Sequence, residues 1–336
     1  MAFTGPAWHR AIRLIDRVCR IAAPRDFGPG FIDDPSKNAL QEAVASHDTP
    51  ALYNWLIEIF AYQGIADRIA RSWMDDNGRV TWHDVETGLQ ANSCQCAKLT
   101  SYWTFHGCRY RKGAGTCANR DKLSTCIVPA QPARNGRLAQ LAMALFLFIR
   151  DVCNGDLVTW MQERLDTKAE PSVDVIIAAL RHVFGVSDKV LSLALTTLLT
   201  TSKPHDTHWI QAGQDLVVVD TLVHNWLHRT GILQDLHASH PYGPRCYAPG
   251  GCADILRQAA QHIDARLYGP HNPRAFPRLV QSAIWRFCAI DMFNICNGRR
   301  IKDNASCTGD HCPVQNACRK VALRQSRKNE LFLDPS

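Results

Sequence analysis

Apolar residues recur along most of the chain at the three- and four-residue intervals of an α-helix, in short runs broken by glycine, proline and polar clusters. In "TPALYNWLIEIFAYQGIADRIARSWMDDNG", Leu52, Leu56, Ile59 and Phe60 fall on one face, with Thr49 placed as N-cap and Pro50 at the first helical position. Gly64 punctuates this pattern, and a second helix carrying Ile65, Ile69 and Trp73 should stop at Asn77-Gly78. Thr81 is placed to cap a short third helix, "TWHDVETGL". Helices are expected again over 137–151 and 156–165. Ser172 should cap "SVDVIIAALRHVF", and "DKVLSLALTTLLT" should follow after a very short turn.

The stretch "FPRLVQSAIWRFCAIDMFNIC" reads as one long buried helix with Pro277 near its start. Residues 200–216 and 237–252 read as long loops, the second rich in proline, glycine and histidine. No repeat emerges, and no alternating pattern is strong enough to build a sheet. The expected fold class is all-α.

From 92 to 136 the periodicity gives way to cysteine, glycine and basic residues, as in an insertion organised by something other than an apolar core. Of 14 cysteines, Cys94, Cys96, Cys108, Cys117 and Cys126 fall in this stretch, and Cys296, Cys307, Cys312 and Cys318 cluster near the end. The N-terminal stretch has no apolar core of a secretory signal, and "LAQLAMALFLFI" is too short to span a bilayer. A soluble, intracellular protein is expected, and clustered thiols in a reducing compartment are more often metal ligands than disulfides. The net charge of +7 adds a moderate bias toward polyanionic partners.

Two segments carry candidate chemistry. In "HVFGVSDKVLSLAL" a tight connection, Gly185-Val186-Ser187-Asp188, joins two helices and would expose backbone N–H groups suited to a phosphate. In "VVVDTLVHNWLHRTG" an apolar run ends in Asp220 at the mouth of a helix that closes at Gly231. Taken alone, Asp220 is a helix cap and Lys189 a solvated lysine. Together the two segments resemble the helix-hairpin-helix DNA glycosylase superfamily, its endonuclease-III-like branch in particular. Gly185, Val186 and Lys189 match its hairpin, and Val219, Asp220, Thr221 and Val223 match its Val-Asp-Thr segment. "LYNWLIEIFAYQGIADRIA" is similar to an early helix of that family, with Gln63 where a side chain fills the space of an extruded base.

The resemblance implies a catalytic pair, Lys189 and Asp220, and DNA contacts at Gln63, Gly185, Val186 and Ser187. A fixed carboxylate would stabilise positive charge building on the sugar, and a neutral lysine could displace the base through a Schiff base, permitting strand cleavage. It implies two lobes. One spans 50–225, with the hairpin at 173–200 and the insertion at 92–136; the other combines 1–49 with 226–336. It also implies a [4Fe–4S] cluster on Cys296, Cys307, Cys312 and Cys318, with zinc as the other metal that four thiolates satisfy and Cys288 as a substitute ligand. Cys96, Cys108, Cys117 and Cys126, with Cys94 as substitute, suggest a second site for zinc or an iron–sulfur cluster.

Several departures from the family pattern stand beside these matches. Ser187 replaces a glycine, Phe184 a proline, and the first two intervals of the C-terminal cysteines are longer than usual. The expected protein is a monomeric enzyme acting on double-stranded DNA, removing a damaged, mismatched or modified base with AP-lyase activity, located with DNA and not on a membrane. The alternative is a non-catalytic, metal-stabilised DNA-binding protein on the same body.

Overall fold

In the computed structural model the described residues are 2–24, 36–62, 67–91, 96–105, 126–128, 140–166, 173–183, 186–201, 207–270 and 272–324. Among them every regular element is helical, as the apolar periodicity predicts, and none is a strand. No helix among them is long and apolar enough to cross a membrane. The chain divides into two compact units, residues 1–31 with 214–336, and residues 32–213.

The first helix, α1 (Gly5–Ala22), opens the first unit. Trp8, Ala11, Leu14, Ile15, Val18, Cys19 and Ala22 form its buried stripe at three- and four-residue intervals, while Arg13, Arg17 and Arg20 face solvent.

The second unit follows in chain order: α2 (Ser36–Ala45), α3 (Thr49–Phe60), α4 (Asp67–Asn77), α5 (Trp82–Ala91), the single turn α6 (Tyr102–Phe105), α7 (Leu141–Val152), α8 (Leu157–Asp166), α9 (Asp174–Leu180), α10 (Asp188–Thr201) and α11 (Thr207–Gln214). The cap of α3 is Asp48 rather than Thr49, because the Asp48 carboxylate accepts the Ala51 N–H at 3.0 Å and Thr49 is already helical. Thr81 caps α5 as expected, its hydroxyl accepting the Asp84 N–H at 3.3 Å while Asp84 accepts the Thr81 N–H at 2.8 Å. The unit is centred on α7, whose residues Leu141 to Ile149 are all buried, and Tyr53 donates its hydroxyl to the Ala142 carbonyl at 2.8 Å.

Two further expectations are corrected in this unit. Residues 207–214, read as loop, are helical, because Trp209 and Ala212 are buried there and Gly213 lets the helix lie against α10. A Cβ on Gly213 would come within 2.9 Å of the Thr200 methyl and 3.2 Å of the Thr200 nitrogen, so this glycine serves close approach. The connection between α9 and α10 is also longer than read. α9 ends at Leu180, and residues 181–187 separate it from α10.

The first unit resumes with α12 (Thr221–Arg229), α13 (Ile232–Asp235), α14 (Cys252–Ala260) and α15 (Pro277–Cys288). α15 is the central element, buried at all but two of its positions and packed against α1, α12 and α14. It ends at Cys288 instead of running on to Cys296, because the backbone turns extended at Ala289. Gly231, in the left-handed region at φ +79°, terminates α12, as its place in the sequence suggests. Beyond α15 the described residues form turns and one 3-10 turn, fastened to the end of α12 by Arg319 N–H to the Thr230 carbonyl at 3.3 Å and Val321 N–H to the Arg229 carbonyl at 2.8 Å.

The division falls at 31/32 and 213/214, where the sequence reading set 49/50 and 225/226. Residues 214–225, with Asp220, therefore belong with α1 and the C-terminal elements.

Candidate metal centre

Four side chains of the first unit converge that the sequence reading did not single out. His224 lies on α12, His240 in the connection after α13, Cys246 in a 3-10 turn at Pro244–Tyr247, and Cys252 at the first position of α14. All four are buried, and their ligand atoms lie within 4.8 Å of one another, an arrangement that could hold a metal ion. His224 Nδ1 stands 3.5 Å from Cys246 Sγ and 3.4 Å from Cys252 Sγ, and His240 Nε2 stands 3.5 Å from Cys252 Sγ.

The local sequence explains the convergence. His240 Nδ1 lies 2.6 Å from the Ala238 carbonyl, which can only accept, so Nδ1 carries the proton and Nε2 presents its lone pair inward. Gly250, at φ +76°, and Gly251 bring the chain from the Cys246 turn into α14. A Cβ on Gly251 would meet the Arg245 carbonyl oxygen at 2.2 Å, so the two cysteine-bearing segments touch only because this position has no side chain. A hydrogen bond from the Cys252 thiol holds the Cys246 thiol well below its ordinary value against the effect of burial, with further help from His224 and the Gly243 N–H. Cys252 is correspondingly pushed up, by that same bond and by burial.

Asp220 lies one helical turn before His224. Val217, Val218 and Val219 are buried behind it, and its carboxylate accepts the Val223 N–H at 2.9 Å, making it the N-cap of α12. Two tyrosines of the His/Cys connection stand near it. The Tyr247 hydroxyl accepts the Val219 N–H at 2.9 Å and lies 3.2 Å from the Val219 carbonyl. Tyr242 packs its ring against His224 at 5.8 Å, and its phenol is pushed up to about 12 by burial, then by Asp220 and Cys246. The buried Arg278 guanidinium is lowered to about 10 by burial, against the opposing pull of Tyr247 and Asp220.

The C-terminal cysteines form a looser group. Cys296, Cys307, Cys312 and Cys318 are half-buried, and no three of them bring their sulfurs within the span of the His/Cys set. They nevertheless share one neighbourhood. Burial, most of all, raises the Cys312 thiol, and charges at Cys296, Cys318 and Cys307 add to it, while a Val314 N–H opposes. The Lys320 N–H donates to Cys318 Sγ at 3.3 Å. Cys288, although α15 does not continue to Cys296, still donates its thiol to Cys296 and holds that thiol low, with Arg229 assisting. Arg299, Arg300 and Lys302 are exposed on this loop.

Lys189 lies in the other unit, half-buried in the first turn of α10, beside Asp188, which pairs with Arg181 at 2.5 Å. Val186 and Ser187 lead into that turn, the Ser187 carbonyl accepting the Val190 N–H at 3.0 Å. Gln63, Gly185, Cys94, Cys108 and Cys117 lie outside the described residues. Cys96 and Cys126 are half-buried. Compared with protein-family models, curated proteins and solved structures, the chain matches none.

Proposed function

We propose that the protein is a DNA glycosylase, cleaving the N-glycosidic bond of a damaged, mismatched or modified base, with Asp220 as the carboxylate that stabilises the developing sugar cation. The supporting observation is the setting of Asp220: a half-buried carboxylate at a helix mouth, backed by buried valines, with Tyr242 and Tyr247 near it. Such a carboxylate is fixed before the reaction, so it needs no reorganisation as charge develops. The exposed arginines of α1 support a polyanionic partner. Arg13, Arg17 and Arg20 line an open groove with Arg10 and Arg319, in which Asp16 is the acidic residue. Lys189 is proposed as the Schiff-base lysine of an AP-lyase step, with Val186 and Ser187 as backbone contacts to the strand.

The C-terminal cysteines are proposed to hold a [4Fe–4S] cluster through Cys296, Cys307, Cys312 and Cys318. The donor set fits: N–H groups of Val314 and Lys320 aim at two of the sulfurs, and Arg229 lies near a third. The second metal site proposed for the insertion would use Cys96 and Cys126 with cysteines outside the described residues.

The test is base release from a panel of duplexes carrying single uracil, 8-oxoguanine or thymine glycol lesions, with borohydride trapping on abasic duplexes. Asn caps helices as well as Asp does, so Asp220→Asn should keep stability and DNA affinity while base release falls about 100-fold or more. Undiminished release in Asp220→Asn overturns the reading. Loss of the trapped adduct in Lys189→Ala is expected, and an intact adduct reassigns the nucleophile.

A second reading is a metal-stabilised DNA-binding protein without catalysis. It is favoured by one observation: Asp220 already spends a carboxylate oxygen on the Val223 N–H. It predicts duplex binding with no base release in any arm.

A further inference from the structure

We propose that His224, His240, Cys246 and Cys252 form a closed, tetrahedral, structural zinc site that fastens the connection between α13 and α14 to the helix carrying Asp220. The inference goes beyond the glycosylase reading and stands without it.

Convergence is the first argument. His240 turns Nε2 inward because its Nδ1 donates to the Ala238 carbonyl, and His224 Nδ1 stands 3.5 Å from Cys246 Sγ and 3.4 Å from Cys252 Sγ, all four side chains being buried. Four soft or borderline donors from three helical elements and a loop meet at one buried point. One cation at the centre satisfies all four donors at once.

Geometry is the second argument. Zinc holds nitrogen at about 2.0–2.1 Å and sulfur at about 2.3 Å, so tetrahedral angles separate nitrogen from sulfur by about 3.6 Å. The three nitrogen-to-sulfur distances are 3.5, 3.4 and 3.5 Å. Three of the six separations thus match the edges of such a tetrahedron, and all four ligand atoms lie within 4.8 Å of one another. Two soft sulfurs with two imidazoles suit zinc, and four protein donors leave no open position for a substrate, so the site is structural rather than catalytic.

The fold supplies the third. The connection between α13 and α14 contains three prolines that cannot donate, at Pro241, Pro244 and Pro249, and glycines at Gly243, Gly250 and Gly251. Its backbone hydrogen bonds are those of short local turns, such as Cys246 N–H to the Gly243 carbonyl at 2.9 Å and Gly251 N–H to the Ala248 carbonyl at 2.8 Å, and it buries no large apolar side chain. Anchors at its middle (His240), its turn (Cys246) and its end (Cys252) to α12 (His224) supply what packing does not. The loop so held carries Tyr242, against His224, and Tyr247, bonded to Val219 beside Asp220.

X-ray absorption at the zinc edge of the full-length protein, purified under reducing conditions, tests this together with metal analysis of variants. One zinc per chain is expected with two sulfurs at about 2.3 Å and two nitrogens at about 2.0–2.1 Å. Cys252→Ser should lose that zinc and lower the melting temperature by roughly 10 °C, and Cys312→Ser should keep it. Should Cys252→Ser fail to fold, the absorption spectrum of the wild type alone decides. Absence of zinc, zinc surrounded by four sulfurs, or full zinc content in folded Cys252→Ser overturns the proposal. None of these readouts depends on base release, so failure of the glycosylase reading leaves this one untouched, and the reverse holds too.

Discussion

The two cysteine-containing groups of the first unit offer four or five ligands each, yet they are organised in opposite ways. His224, His240, Cys246 and Cys252 come from α12, a loop, a 3-10 turn and the start of α14, and all are buried with their ligand atoms within 4.8 Å. Cys296, Cys307, Cys312 and Cys318 come from one continuous segment without a helix longer than a 3-10 turn, and they remain half-buried and outside any such compact group of ligand atoms. A single ion needs donors close enough to share one centre. A polynuclear cluster places its own atoms between the thiolates and holds them wider. The difference teaches that ligand count and clustering along the chain say little about how closely donors stand in space, which is set by how tightly the backbone draws them together. In the compact site the drawing-in is done by glycine and by secondary structure on three sides. In the wide site it falls to turns and to N–H groups directed at sulfur.

The sharpest way to break this comparison is Gly251→Ala. The new methyl would collide with the Arg245, Ala248 and Cys246 carbonyls at 2.2, 2.9 and 2.9 Å, all of them backbone atoms that cannot rotate aside. The Cys246 turn must then move away from Cys252. A loss of about 3 kcal/mol in unfolding free energy is expected, together with roughly 10–100-fold weaker metal binding at the compact site. Denaturant titration and competition with a chromogenic chelator measure the two effects. Wild-type metal affinity in this variant would show that the compact site is not held by the Gly251 contact.

The counterpart in the wide site is Gly309→Ala, for which a smaller effect is expected. Gly309 has φ +81°, so alanine there is strained, but its Cβ would meet only the Lys320 Cε at 3.0 Å and Gln315 side-chain atoms at 3.1 Å. Those side chains can swing aside, leaving the backbone penalty of about 1 kcal/mol. The melting temperature should fall by a few degrees, with the metal of the compact site unchanged. If Gly309→Ala destabilises as much as Gly251→Ala, the wide site is as tightly drawn as the compact one and the contrast fails.

Parts of this arrangement were legible in the sequence and parts were not. The helix opening at Asp220 and stopping at Gly231 was readable, because an N-cap acid and a left-handed glycine act within a few residues of where they stand. The Thr81 cap was readable for the same reason. The C-terminal cysteines stood out because they are neighbours in one segment, although their mutual placement did not. His224, His240, Cys246 and Cys252 were missed because the site draws on four elements, and the intervals between its ligands form no short metal motif. The one local signal was a pair of cysteines in a stretch dense with histidine, proline and glycine, "HASHPYGPRCYAPGGC". α11 lies in the stretch 200–216 that reads as a loop, and its Gly213 serves close approach to α10, a property of tertiary packing. Cys288 was tied to Cys296 through a helix that does not continue, yet their thiols still meet because the chain folds back after Ala289.

The smallest expected effect separates donors from scaffold. Asp254, in the first turn of α14, accepts the Gly250 N–H at 2.8 Å and the Gln258 side-chain amide at 2.9 Å. Gln258 in turn accepts the Phe3 N–H at 3.1 Å, so Asp254 steadies the glycine pair from beneath without touching the four ligands. Asp254→Ala removes this support and a favourable charge at the helix start, at a cost of about 1 kcal/mol, and Asp254→Asn should restore part of it through its remaining acceptor. Metal affinity should change by less than about threefold, because the convergent donors and the Gly251 contact remain in place. Calorimetric melting paired with metal competition checks both numbers. If Asp254→Ala also strips the metal, then the compact site depends on hydrogen bonds beneath its loop much as the wide site depends on N–H groups around its sulfurs. The two sites would then differ in spacing alone.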